Sequence, residues 1–292
     1  MMHDRLVLLG TKGGPSLHSP LRMPTSSLLV IGGQTCVVDC GLGVTKSLLQ
    51  SGVRLTDIDR IYITHLHSDH ILELGPLLHT AWTCGLSHPI LIFGPVGTNT
   101  VLDGFFASLS FDINLRIEDE GRNDLRSLVR VTEFSEGSVN GGVPEVSALR
   151  VCHPPVSECY ALRFDCDGWR VTFSSDTCKF SPLAEFAHGS DLLVHEAMLA
   201  SGVDRIVARA PNATRLRQHL FAAHTEVADV AEIALAADVK HLVLHHLIPS
   251  DGPGAEDEAW LAEMGDRVRG AVSVGYDGME FRRDWDEARN SA

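Results

Sequence analysis

The chain has no surplus of base, no long apolar run and no paired-cysteine motif, and each absence narrows what it can be. Lys and Arg total 24 against 38 Asp and Glu in 292 residues, a formal charge of −14. A nucleic-acid surface normally needs excess Lys and Arg to displace counterions from phosphates. The balance therefore speaks against RNA, DNA or an anionic membrane as the main partner. No apolar stretch approaches the roughly 20 residues that span a bilayer. The start, MMHDRLVLLGTKGG, has too short an apolar patch, and no cleavage signature, for a secretory signal. The expectation is a cytoplasmic protein. The seven cysteines (Cys36, Cys40, Cys84, Cys152, Cys159, Cys166 and Cys178) are odd in number, irregular in spacing and without a CxxC pair. That pattern suits reduced thiols better than a disulfide frame. Cys36 and Cys40 would need two more ligands close by in sequence to form a zinc knuckle.

What is present is ordinary globular composition, 44% hydrophobic and 21% charged, in a chain long enough to bury a sizeable core. Short apolar strands alternate with helical patterns. Strands are predicted over 6–9, 28–31, 35–39, 60–63, 90–93, 129–134, 146–151, 160–164, 170–173, 192–195, 242–244 and 279–282. Helices are predicted over 44–51, 73–82, 98–109, 182–187, 226–236 and 256–269, with Thr225 placed to open the fifth. DCDGW reads as a hairpin turn carrying Gly168. No repeat, low-complexity linker or hinge is visible. The reading is one domain, residues 1–292, of α/β (α+β) class: an αββα sandwich of two mixed β-sheets flanked by helices. Strand counting alone also fits a doubly wound sheet.

The informative stretch is RIYITHLHSDH, residues 60–70, where His65, His67, Asp69 and His70 follow directly on a strand-like apolar run. In a tight loop, a histidine pair two residues apart can converge on one ion while the following Asp-His pair reaches a second. Imidazole and carboxylate suit zinc, manganese and iron alike. A solvated polar loop is the bland alternative. The apolar lead-in and the helix-forming ILELGPLLHTAW that follows argue against it.

THLHSDH matches the HxHxDH signature of the metallo-β-lactamase superfamily. The chain resembles, along nearly its whole length, the branch that includes ribonuclease Z and related arylsulfatases and phosphodiesterases. LLGTKGGPS with TSSLLV and VVDCG is similar to that branch's glycine-rich opening hairpin. FSSDT is similar to its SGDT segment, VHEA to its HEA segment, AHTEVADVAEIA to its His-Ser/Thr helix and LVLHHLIP to its last ligand strand. The resemblance implies two divalent metal ions, Zn2+ in the first place, with Mn2+ or Fe served by the same ligands. His65, His67 and His153 would hold one, Asp69, His70 and His246 the other, and Asp176 would bridge them. A homodimer is a further implication.

The residues themselves agree. His153 ends the strand-like VSALRVC and is followed by prolines; a capping or core histidine is the alternative. Asp176 ends RVTFSS, where a turn aspartate would also be at home. His245 and His246 fall on opposite faces of one strand, and the turn at LIP favours His246 as the ligand. Asp39 in VVDCG can orient a metal histidine or simply terminate its strand. His195 and Glu196 end another strand, with Glu196 fit to orient a histidine. His224 stands where the resembling family keeps a histidine over the metals, able to protonate a leaving group; a solvated helix start is its alternative. Asp69 and His224 are the residues expected to carry catalysis. Arg205, Arg209, Arg215 and Arg217 can clamp an anion or form a solvated helix face, with Arg217 the candidate substrate contact. His79, His88, His188 and His219 have no partner that the sequence names.

The activity expected is hydrolysis of a small-molecule ester (aryl sulfate, phosphodiester, carboxylic ester or lactone) by a metal-bridging hydroxide. The resemblance keeps a ribonuclease Z-like endonuclease acting on tRNA 3′ ends as an alternative. That enzyme's long arm falls between the third-ligand histidine and the bridging aspartate, where this chain has only residues 154–175, 22 in all. An iron-dependent oxidoreductase is a second alternative, and a non-catalytic scaffold is disfavoured because all seven ligand positions are filled. Specificity is expected in residues 105–123 and 198–224.

Overall fold

The structure, a computed structural model, describes residues 3–283. Its first sheet takes β1 (Arg5–Gly10), β2 (Ser26–Ile31), β3 (Gln34–Cys40), β4 (Arg60–Tyr62), β5 (Ile90–Gly94) and β6 (Val129–Glu133). The second takes β7 (Gly137–Ser138), β8 (Glu145–Arg150), β9 (Tyr160–Cys166), β10 (Trp169–Phe173), β11 (Leu192–Met198), β12 (His241–Ile248) and β13 (Ala271–Val274). The last strand, β14 (Glu280–Arg282), returns to pair with β1, so the orders are β14-β1-β2-β3-β4-β5-β6 and β13-β12-β11-β10-β9-β8-β7. Both sheets are mixed in the same way. The strands from β14 to β3 and from β7 to β10 pair antiparallel, and those from β3 to β6 and from β10 to β13 pair parallel.

Burial follows from this layering. Leu8, Leu29, Val38 and Tyr62 of the first sheet meet Phe164, Val171 and Val194 of the second in one buried layer. The outer face of the first sheet is covered by helices Val44–Gln50 and Leu74–Thr83. That of the second is covered by Val227–Ala236 and Asp257–Met264. A strand covered on both faces reads as a continuous apolar run, as β2 (SSLLVI) does. A strand open on one side alternates, as β8 (EVSALR) does. The β9–β10 turn places Asp167 at φ 47° and Gly168 at φ 81°, the pair of left-handed residues that a two-residue hairpin turn requires. Fold class and layer order are as the sequence leads one to expect.

Some boundaries differ. The helix predicted to run to 269 ends at Met264, where Gly265 turns at φ 69°, and the chain then adds the edge strand β13. The two-residue β7 was not foreseen. Residues 110–120, read as part of a specificity loop, form the helix Ser110–Glu120. The segment 198–224 contains helices Val203–Arg209 and Leu216–Ala223. Thr225 does not cap the following helix; its hydroxyl donates to the Thr177 carbonyl at 2.6 Å.

Phe164 is fully buried, edge-on to Tyr62 (4.9 Å between ring centres) and near Phe173 (5.8 Å), so it ties the two sheets together. Phe164→Ala should cost about 3–5 kcal/mol in denaturant unfolding. Phe111→Ala, removing a ring that is 81% exposed, should stay within about 0.5 kcal/mol. Equal effects would contradict the layer assignment.

Candidate metal centre

The ends of β3, β4, β8, β10, β11 and β12, with the residues just beyond them, deliver polar side chains to one edge of the sandwich. Three residues there take left-handed backbone without being glycine: Asp39 at φ 60°, Ser175 at φ 58° and His246 at φ 43°. Such conformations are held only where the surroundings over-determine them, and they cluster at functional sites.

After β4, His65 and His67 extend along the loop while Asp69 and His70 lie in the single turn Ser68–Ile71. His153 arrives from the segment after β8 and Asp176 from that after β10. Ligand atoms of His65, His67, His153 and Asp176 all lie within 4.8 Å of one another, as do those of Asp69, His70 and His246. Asp176 sits between the groups. Its Oδ2 is 3.8 Å from Nε2 of both His65 and His153 and 3.1 Å from that of His246, and its Oδ1 is 3.4 Å from His70 Nε2.

The outward nitrogens are anchored. His70 donates Nδ1–H to Asp39 at 2.8 Å, and Asp39 also accepts from the Thr64 backbone at 2.8 Å and from its hydroxyl. His153 donates Nδ1–H to the Ala223 carbonyl at 2.9 Å. Each bond fixes the tautomer that leaves Nε2 as a lone pair facing inward. Nε2 of His65 and of His70, and Oδ1 of Asp176, are buried without a hydrogen-bond partner in the protein. Burying such groups unpartnered is costly, and convergent imidazole and carboxylate lone pairs are what a divalent ion requires. The donor set fits two such ions.

Electrostatics divide the rings: burial disfavours the charge of His70, but Asp176, Asp39 and Asp69 outweigh it and raise its pKa well above the ordinary value, the mark of a place where the carboxylates call for a cation. Burial, and then the other imidazoles, hold His65 far below its ordinary pKa and push His67 down to about 4, so both rings are neutral, as ligands must be. Burial opposes the charge of Asp69, but His70 and His246 outweigh it and keep the carboxyl below its usual range. Asp69 also accepts the Gly14 N–H at 2.8 Å, which fastens the glycine-rich loop to the site. Gly13 leaves room for His246: a Cβ there would meet its Nδ1 at 2.8 Å.

The structure brings His246, not His245, to the cluster, because a register shift after Glu196 and His245 turns the chain. His245 is buried on the inner side, its pKa pushed down to about 3 by burial first. Glu196 orients His224, accepting from its Nδ1 at 3.2 Å and from the backbone of Thr177 and Thr225. Burial works against the charge on His224, but Glu196, Asp176 and Asp69 raise it to about 9. The ring stacks on that of His246, 5.4 Å centre to centre. His195 is not brought in. It packs on the opposite, helix-covered face with Leu193 and Ala197 and bonds the Glu196 carbonyl, as strand alternation requires once Glu196 points inward.

A cavity of about 410 Å³ opens over the cluster, reaching His67, Asp69, Asp176, His224 and His246. Arg217 lies outside it, exposed, paired with Asp204 at 3.0 Å and stacked on Phe221. The arginine in the wall is Arg209, one of the four read as a possible anion clamp; Lys12 and His219, which the sequence reading left without roles, join it. The arginine-rich stretch and the glycine loop were the available signals for Arg209 and Lys12. For His219 there was none.

A family model described as "Anti-Pycsar protein Apyc1" matches residues 5–209. Ribonuclease Z of Mycobacterium bovis is 32% identical over 277 residues, 93% of this chain and 95% of that protein. The chain belongs to the Apyc1 family, on the ribonuclease Z branch of the metallo-β-lactamase superfamily. It is a metal-dependent hydrolase. Among solved structures, the metallo-β-lactamase fold protein YhfI of Bacillus subtilis matches with a TM-score of 0.70 at 22% identity, covering 96% of this chain and 99% of that one. A diphosphatase from the PhnP family matches with 0.66 at 17%, covering 96% and 98%. Both likenesses are of fold.

For this metallo-β-lactamase-fold hydrolase, His65→Ala and Asp176→Ala should each lower the metal bound per chain, measured by elemental analysis after gel filtration. Asp39→Asn should retain the fold and weaken metal affinity about 10–100-fold, the usual effect of removing a partner that orients a ligand. Wild-type affinity in Asp39→Asn would show that His70 is not a ligand.

Proposed function

We propose that the chain hydrolyses a small anionic ester, a phosphodiester first among the ester types. His65, His67 and His153 would hold one divalent ion, Zn2+ foremost, and Asp69, His70 and His246 a second, with Asp176 shared between them. The observation that carries this reading is the convergence of these side chains on the floor of a cavity walled by two cations, Lys12 and Arg209. Two divalent ions so held would supply an activated water and would neutralise charge developing in the transition state.

The chain's own groups do the rest. The Lys12 ammonium is held by the carbonyls of Gly13 (2.7 Å) and Gly14 (2.8 Å), which leaves one N–H for a substrate oxygen. Arg209, paired with Asp251 at 2.9 Å, stands at the same wall. Both favour phosphate or sulfate over a neutral ester. Ile206, Leu216, Leu220 and Ile248 give the remainder of the wall an apolar character suited to an organic substituent and to excluding water. With Nδ1 on Glu196, His224 has Nε2 available to protonate the leaving oxygen. The names of the two phosphate-acting proteins, a ribonuclease and a diphosphatase, support phosphorus as the electrophile.

The ribonuclease Z relatives favour a second reading, cleavage of an RNA phosphodiester, and they weigh against excluding nucleic acid on net charge alone. The cavity volume, within the roughly 300–1,000 Å³ of small-molecule sites, favours the small substrate.

The test compares 4-nitrophenol release from the bis-phosphodiester, the sulfate and the acetate, beside cleavage of a precursor tRNA with a 3′ extension. The phosphodiester should react fastest and Asp69→Ala should abolish it. RNA cleavage with higher kcat/KM than the phosphodiester would install the second reading, and no reaction with any substrate would sink both. His224→Ala should keep its metals and lower kcat about 10²–10⁴-fold, most with poor leaving groups.

A further inference from the structure

Two cysteines meet at the edge of the sandwich that carries the candidate metal centre. Cys152 follows β8 and immediately precedes His153; Cys178 follows β10, two residues after Asp176. The Cys178 N–H donates to the Cys152 carbonyl at 2.7 Å. With standard backbone dimensions, a bond of that length holds the two Cα atoms no more than about 6.6 Å apart. Disulfides span Cα separations of roughly 4.4–6.8 Å. Thr177 braces the same junction, since its hydroxyl accepts the Cys152 N–H at 3.3 Å and donates to the Cys178 carbonyl at 2.8 Å. The side chains meet as well: burial first, and then a hydrogen bond with the Cys152 thiol, pushes the Cys178 thiol up to about 11. Both thiols are free and reachable from solvent, Cys152 exposed and Cys178 half-buried.

We infer that Cys152 and Cys178 are a modification site, closing to a reversible disulfide at the expense of a low-molecular-weight disulfide, and that the bond clamps together the segments carrying His153 and Asp176. The more exposed sulfur, on Cys152, attacks one sulfur of the small disulfide, forming a mixed disulfide and expelling one small thiol. The Cys178 sulfur then attacks that of Cys152, forming the internal S–S bond and expelling the second small thiol. Two protein thiols lose two electrons, the small disulfide gains them, and the two protons pass to the thiols released. The consequence follows from position. His153 and Asp176 belong to one group of converging donor atoms, and an ion leaves such a group only if its donors part. A cross-link between neighbouring residues removes the conformations in which the two segments are separated. The oxidised protein therefore holds its metal longer than the reduced one.

The disulfide is independent of any catalytic role, while the clamp rests on the reading of His153 and Asp176 as ligands. Reduced, metal-loaded protein is incubated with oxidised glutathione, alkylated in denaturant and digested for mass spectrometry. Trypsin leaves Cys152 and Cys159 together in residues 151–163, so a Glu-specific protease cutting after Glu158 separates them. The peptide of Cys152 should appear joined to that of Cys178, and the link should be absent from Cys152→Ser. Both cysteines alkylated, glutathione retained on Cys152, or Cys178 joined to Cys159 would each overturn the inference. Transfer of metal to a chromophoric chelator tests the clamp: the oxidised protein should give it up on the order of ten-fold more slowly than the reduced one, and dithiothreitol should restore the faster rate. Cys152→Ser should show the reduced rate with or without oxidant. Equal rates for the two forms of the wild type would overturn the clamp. If Asp176→Ala keeps its metal, the ligand reading falls, while the joined peptides still decide the disulfide.

Discussion

A carboxylate buried between two sheets, with four imidazoles around it, is the constraint from which the rest of this structure follows. Asp176 is nearly inaccessible, and Nε2 of His65, His70, His153 and His246 all lie within 4 Å of its oxygens. Such a group cannot remain charged in a protein interior unless opposite charge surrounds it closely. Its local surroundings are organised to hold the metal ions that would supply that charge, with the imidazoles as their donors. The left-handed turns at Asp39, Ser175 and His246 are intelligible in this light: each bends a strand end so that a side chain reaches the centre instead of the neighbouring layer.

Around the clustered side chains, a second set of groups fixes orientation. Asp39 holds His70, the Ala223 carbonyl holds His153, and the Gly14 amide holds Asp69. These partners come from remote parts of the chain, including the opening loop and the helix Leu216–Ala223 that also forms the cavity wall. One packing arrangement therefore sets both the tautomers of the clustered imidazoles and the shape of the cavity above them. Glu196 joins the two, since it orients His224 from within the second sheet while the clustered side chains come from both.

The parallel strands place this chemistry where they do. β3, β4, β10, β11 and β12 run toward the same edge, and side chains beyond strand ends escape the pairing that occupies the backbone within the sheets. Loops there are free to vary around a rigid floor, which explains why a shared fold hosts relatives and neighbours bearing such different names.

Much of the centre was legible in the sequence because it is local. His65, His67, Asp69 and His70 fall within six residues, so one strand end and one helical turn suffice to cluster them. The layer order was legible for the same kind of reason, since apolar runs and their punctuation are properties of short windows. His153, Asp176 and His246 could be nominated from strand-end patterns and resemblance, but only the packing of the two sheets brings them to one point. Side-chain parity on β11 separates Glu196, which faces inward, from His195, which does not. The bulge in β12 separates His246 from His245 in the same way. The cavity wall was the least legible part. Arg209 faces the site while Arg217 faces solvent because the helices Val203–Arg209 and Leu216–Ala223 pack at particular rotations against the floor. No window of sequence encodes that rotation. The sequence by itself determined the donor chemistry and the layers; the tertiary structure alone decided which faces those helices and strands turn toward the candidate metal centre, because facing is a property of packed pairs of elements.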